Sequence, residues 1–217
     1  LRGPDGHVLA VVEEAQATPE QLEVRELNAS VYCFRADWLW PALAQIEKSP
    51  KGEYYLTDIV AVAARQGLTV QALKSADPAE TIGINNRAYL AEAEAILRRR
   101  INQRWMDAGV TLVDSETTYI EPEVTHGQDT VIYPHTHLRG RTSLGSNCVI
   151  GPEVIVTDTR IGNSCTIIVS VIENAILEDE VQVGPFTHVA SGSVAGIGAA
   201  DADATAVRNP TIVIETG

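Results

Sequence analysis

Leu144-Gly-Ser-Asn-Cys-Val149, then at once Ile150-Gly-Pro-Glu-Val-Ile155, and shortly after Ile161-Gly-Asn-Ser-Cys-Thr166, set the rule for the second half of the chain. An aliphatic residue opens each hexad, and a small or β-branched residue sits four places later. The aliphatic step falls at Ile120, Ile132, Leu138, Leu144, Ile150 and Val156, with His126 at the one position where it is missing. Val124, Thr130, Thr136, Thr142, Cys148 and Val154 take the small position. The register slips by one before Ile161, runs to Ile167, breaks again and returns at Leu177 and Val183. A period of six satisfies neither the i+3/i+4 spacing of an amphipathic helix nor the alternation of a sandwich strand. It fits a triangular coil: the aliphatic residue points inward, the small one fills a corner, and three hexads close one turn over a continuous apolar column. A left-handed parallel β-helix of hexapeptide repeats is therefore expected over 111–217, weak after 189. There the core positions become Ala195, Asp201, Val207 and Val213.

Upstream the periodicity is mixed. His7–Val12, Val31–Phe34 and Leu68–Leu73 read as strands, and Trp38–Ile46 spaces its apolar residues as a helix does. A second helix is expected from Asp58 to Arg65, with Thr57 as N-cap and Gly67 as its stop. A long helix should follow Asn86 and run through Leu90, Ala93, Ile96 and Leu97 to Ile101. Strands alternating with helices predict an α/β layered domain. The division expected is 1–86 for this domain, 87–110 for a linker helix and 111–217 for the β-helix.

The bulk properties exclude several classes. The chain has 217 residues, 45% hydrophobic and 21% charged, which are ordinary globular values. Its 29 acidic against 16 basic residues give a net charge of −13, so neither nucleic acid nor any other phosphate backbone is an expected partner. No apolar run approaches the roughly 20 residues needed to cross a bilayer, so no membrane is expected, and no basic segment followed by an apolar core opens the chain. Cys33, Cys148 and Cys165 form no CxxC pair, and a reduced, cytoplasmic protein is expected. Cys148 and Cys165 fill corner positions and read as packing thiols. Met106 is the single methionine, and the chain opens on Leu1. A piece of a longer protein is expected. His126, His135 and His137 lie on neighbouring coils; a Zn²⁺ site such as that of the gamma-class carbonic anhydrases needs another spacing, so they are expected to face solvent. Arg98, Arg99, Arg100 and Arg104 should form a polar face of the linker helix.

Longer motifs are more specific than the hexads. They are Val11-Val-Glu-Glu14 with Ala17-Thr-Pro-Glu-Gln21, Gly52-Glu-Tyr-Tyr-Leu-Thr-Asp58, Gly83-Ile-Asn-Asn-Arg87, Leu90 through Arg100, and Val183-Gly-Pro-Phe186. In this order the chain resembles the bacterial bifunctional N-acetylglucosamine-1-phosphate uridyltransferase and glucosamine-1-phosphate acetyltransferase family, from Leu1 to about Phe186 and more loosely to Thr211. The resemblance implies a Rossmann-like nucleotidyltransferase part-domain before the β-helix. It also implies Mg²⁺-dependent uridylyl transfer from UTP to N-acetylglucosamine-1-phosphate, giving UDP-N-acetylglucosamine. The β-helix would use acetyl-CoA to acetylate glucosamine-1-phosphate, and the protein would be a homotrimer. By position, Asn85 would be a metal ligand, Glu13 and Asn28 would hold the sugar, and Arg208 would stand where the family binds a phosphate with Lys.

Residue by residue, plainer readings exist. Asn28 could be a turn residue, Glu13 a solvated acid and Asn85 a helix cap. The resemblance also places the nucleotide loop and a metal-binding Asp upstream of Leu1 and a catalytic His beyond Gly217, so no catalytic residue is expected within the chain and the isolated chain should be inactive. Ala190 falls where the family carries an Arg that binds the sugar phosphate, and Ser30 where it carries a Gly. Two other functions remain open at this stage: a non-catalytic trimeric β-helix scaffold, and a nucleotidyltransferase for another hexose 1-phosphate.

Overall fold

A computed structural model describes residues 1–49 and 51–196. Asp201, Val207, Arg208 and Val213 lie outside them. The chain divides into two compact units, Leu1–Gly83 and Ile84–Gly217.

The first unit holds the two helices expected, with shifted ends, and one that was not expected. A short helix α1 spans Pro19–Leu22, started by a capping box in which Thr18 and Gln21 bond reciprocally. Helix α2 runs Ala36–Leu43, stopping before Ile46, and carries Pro41 within it. Helix α3 covers Ile59–Arg65 after a single 3₁₀ turn, Leu56–Asp58. Gly67 stops it: at φ +70° it lets its own N–H reach the Ala64 carbonyl and the Leu68 N–H reach that of Ala63. Ala42, Ile59, Val60 and Val62 form a small buried core.

The sheet expected in this unit is absent. His7–Val12, Val31–Phe34 and Leu68–Leu73 form no ladder among the described residues, and the unit's strand pairing is one antiparallel bridge, Arg2 to Val8. The apolar runs are nevertheless used, because Val8, Val11, Tyr32, Phe34 and Val70 rest against the helical core. A strand needs a neighbour for its backbone groups, and none of these three segments pairs with another. Among the described residues this unit is thus helices with unpaired extended segments, and the Rossmann-like expectation is not shown by it. Leu27, Val31 and Leu73 remain 86–99% exposed.

In the second unit helix α4 spans Arg87–Asp107, two turns beyond the end expected at Ile101. The Asn86 side chain caps it, accepting from the Tyr89 N–H at 2.9 Å. Ile101, Asn102 and Trp105 are buried. The Asn102 amide donates to the Ser115 and Thr118 carbonyls, at 2.8 and 3.0 Å, and so fastens the helix to the first coil.

The rest of this unit is the parallel β-helix that the hexads predict. Three parallel sheets form its faces. One face stacks Leu112, Ile132, Ile150, Ile167 and Val183. The second stacks Ile120, Leu138, Val156, Ile172 and Val189, and the third Leu144, Ile161, Leu177 and Ala195. Ile132, Leu138, Ile150, Val156, Ile167 and Ile172 have no solvent exposure. Ile172 is the rung at which the sequence pattern breaks. The turn from Ile150 to Ile167 is one residue shorter than that from Ile132 to Ile150, and the next, to Val183, is one shorter again.

Corner residues are small because the chain bends there against the neighbouring coil, and their polar atoms are satisfied in place. Thr136 and Thr142 donate to the Tyr133 and Arg139 carbonyls, and Thr130 to that of Gly145 on the next coil. Gly184, at φ +108°, is one position with no alternative: a Cβ there would collide with the Ile168 carbonyl.

Candidate functional site

The structure places Glu13 at the start of a 3₁₀ turn, Glu14–Gln16, half-buried. Its Oε1 accepts a hydrogen bond from the Thr57 hydroxyl at 3.0 Å, across 44 residues of sequence. This corrects the expectation that Thr57 caps a helix: neither the 3₁₀ turn nor α3 has a side-chain cap. The hydroxyl is spent on the carboxylate instead. Glu13 is therefore held rather than freely solvated, with its second oxygen open to a ligand.

Around it the Gly52–Asp58 stretch is ordered by its own polar groups. The Ser49 hydroxyl accepts from the Glu53 N–H, and the Tyr55 hydroxyl donates to Glu53 at 2.8 Å. That hydrogen bond raises the Tyr55 pKa above its ordinary value. Asn28 is exposed, and its amide donates to the Ser30 hydroxyl at 3.3 Å. Ser30 takes φ +58°, so the chain makes here, without glycine, the left-handed turn that a Gly would favour. No hydrogen bond joins Asn28 to Glu13 among the described residues. Asn85 is exposed in the second unit, and the cap of α4 is its neighbour Asn86, which frees the Asn85 amide from that role.

A hard cation such as Mg²⁺ takes oxygen ligands in octahedral array. Asn85 offers one neutral oxygen, and among the described residues no three His, Cys, Asp or Glu side chains gather to hold a metal. These residues alone do not fit a Mg²⁺ site.

The histidines are corrected in part. His126 and His137 are half-buried rather than facing solvent. His126 takes the aliphatic step because it packs against Trp105, with ring centroids 4.2 Å apart. His137 stacks flat on Tyr119 at 4.5 Å, and the Arg98 guanidinium covers the other ring at 4.7 Å. Sequence reasoning missed this three-layer stack, although the outward register of Tyr119 and His137 was readable from the hexads.

Burial, then the charges of Arg139 and His135, lower the His137 pKa. The unfolded chain takes up a proton near pH 6.5 that the folded chain resists, so stability is present above that pH and is lost as pH falls towards the folded value. The melting temperature should drop between about pH 7 and 5, and His137→Phe should flatten that slope. An unchanged slope in the variant would overturn the assignment. Carboxylates held low by hydrogen bonds, such as Asp114 and Asp179, act in the same direction only at more acidic pH.

Cys148 and Cys165 are fully buried one coil apart, their thiols donating to the Gly162 and Glu178 carbonyls at 3.2 and 3.0 Å. The hydrogen bond shared with Cys148, and then burial, push the Cys165 thiol up. Both act as packing groups.

No family model matches the chain. Individual proteins do. The Bifunctional protein GlmU of Halalkalibacterium halodurans is 41% identical over 195 residues, covering 89% of this chain and 43% of that protein. Its counterpart in Geotalea uraniireducens is 44% identical over 195 residues with the same coverage. That of Brevibacillus brevis is 39% identical over 213 residues, 98% of this chain and 46% of its own length. Over this stretch the chain is similar to these GlmU proteins.

The matched stretch takes in both compact units, but this chain spans less than half the length of these GlmU proteins. A perosamine N-acetyltransferase from Caulobacter crescentus is a structural neighbour at TM-score 0.28 and 12% identity, covering 48% of this chain and 60% of its own. A likeness that low carries no argument. No helix among the described residues is long and apolar enough to cross a membrane.

Proposed function

We propose that the chain serves a GlmU-type enzyme that makes UDP-N-acetylglucosamine from UTP and N-acetylglucosamine-1-phosphate. The observation that carries this reading is the Glu13 carboxylate anchored by Thr57, in a chain 39–44% identical to GlmU proteins over 195 residues or more. A fixed carboxylate with one free oxygen suits a sugar hydroxyl, and Asn28 can both donate to and accept from the N-acetyl group. Asn85 would turn its side-chain amide to the phosphates, where its N–H groups can donate to their oxygens. The reaction is in-line attack of the sugar phosphate on the α-phosphorus of UTP, in which positioning and neutralisation of charge lower the barrier. The β-helix would begin the acetyl-CoA-dependent acetyltransferase part, in a homotrimer, with Arg208 on the sugar phosphate. Ala190 removes a cation there. The setting is cytoplasmic.

Two arms test the reading. The 217-residue chain, given UTP, N-acetylglucosamine-1-phosphate and Mg²⁺, should release no pyrophosphate above a blank. A GlmU protein whose matching segment is exchanged for this chain should keep uridylyl transfer. Loss of that activity in a folded exchange protein would overturn the proposal.

A further inference from the structure

Helix α4 closes the top of the β-helix unevenly. It packs on the strands that open the first two faces, Thr111–Leu112 and Tyr119–Ile120. The third face opens with the bridge of Thr125 to Ser143, and beside it lies a cleft of about 330 Å³. Its walls are Ile101, Trp105, Pro122 and Val124, which supply an apolar slot with an indole in it.

One cation stands at this cleft, Arg104. Arg104 lines it, exposed, and pairs with no carboxylate among the described residues. No lining residue is acidic, in a chain whose net charge is −13. The ladder also ends here. Thr125 spends its N–H on the Thr142 carbonyl and its own carbonyl on the Leu144 N–H, both on the coil below. In a parallel ladder the next residue points its groups the opposite way. Among the described residues neither the main-chain N–H nor the carbonyl of His126 has a backbone partner, so the N–H is a free donor beside a free acceptor at the cleft. The His126 ring donates to the Gly127 carbonyl through Nδ1 at 3.0 Å, so Nε2 of the neutral ring is an acceptor and takes no part in holding an anion.

We propose that this cleft binds a small anion with a planar apolar body, a carboxylate on an aromatic ring being the plainest member of the class. The ring would enter between Trp105, Ile101, Val124 and Pro122, and the anionic end would meet Arg104 and the His126 N–H. The site is independent of Glu13, Asn28 and Asn85 and does not rest on the uridylyl-transfer reading. A ligand of that size binds in about the millimolar range.

The test uses the full 217-residue chain, labelled with ¹⁵N, and follows the indole N–H signals of its three tryptophans during titration with sodium benzoate. Trp38 and Trp40, in the other unit, report non-specific effects. Benzoate should move the Trp105 signal saturably and leave the other two in place. Benzyl alcohol, which lacks the charge, and inorganic phosphate, which lacks the ring, should each bind at least about fivefold more weakly. Arg104→Gln should weaken benzoate about tenfold; because Arg104 is exposed, the variant keeps the fold, which the unchanged Trp38 and Trp40 signals check. No saturable shift at Trp105, equal binding of benzyl alcohol or of phosphate, or an Arg104→Gln variant with unaltered affinity would each overturn the site.

Discussion

Ile150→Asp is expected to abolish folding of the β-helix. Ile150 has no solvent exposure and sits mid-column, paired in register between Ile132 and Ile167. The substitution removes a buried aliphatic side chain, worth about 2–5 kcal/mol when cut back to Ala. It then asks the column to hold a carboxylate with no polar partner, at several kcal/mol more. A domain stable by about 5–15 kcal/mol has little left after that sum. Coils contact only their neighbours, so a break at this rung uncouples those above from those below. Far-ultraviolet circular dichroism and urea titration should show loss of the cooperative transition for Ile150→Asp. Ile150→Ala should retain a transition lowered by about 2–5 kcal/mol. Val149→Thr, on the outward side of the same rung, should stay within about 0.5 kcal/mol of the parent. A cooperative, near-native transition for Ile150→Asp would mean that the column is not the core.

The second large effect is catalytic and belongs to a full-length GlmU carrying this segment. There Asn85→Ala should cut uridylyl transfer by about a hundredfold or more, the scale expected when an amide N–H that donates to a charged phosphate oxygen is lost. Acetyl transfer should remain within about twofold, because Asn85 precedes α4 and the coils fold by their own register. The structure removes the competing explanation that Asn85 is a helix cap, since Asn86 performs that task. Equal losses of both activities would overturn the role, and Asn86→Ala serves as the structural comparison: it should cost stability of about 1 kcal/mol without separating the two reactions.

The β-helix was legible because its signal is local and repeated. Each inward position recurs within one turn, so Leu138 or Leu144 can be assigned from a few neighbours, and the Gly at the second place marks the bend. Ile172 was harder. It lies where a turn shortens, and a fixed period steps past it. His126 could be seen as an exception but not explained, because Trp105, which accommodates it, lies 21 positions earlier in the chain. In the first unit α2 was legible from its apolar spacing and α3 from its Gly67 stop, whereas the strands were read from short apolar runs alone. Such a run reports that a segment has an apolar side; it does not supply the neighbour with which the backbone must pair. The candidate site shows the same limit. The identity of Glu13 could be read within its motif, but Thr57 had two plausible uses for one hydroxyl, and only the folded chain shows which was taken.

The unequal rungs have an evolutionary consequence. Because the column keeps its apolar set while the contour around it varies by a residue or two from turn to turn, gains and losses of single amino acids can accumulate at the bends with the interior untouched. After each such event the ladder resumes its register, as Val149, Thr166 and Gln182 show on the outward side. A lineage of this architecture can thus retool its bends by small insertions and deletions, a kind of change that most packed folds would reject.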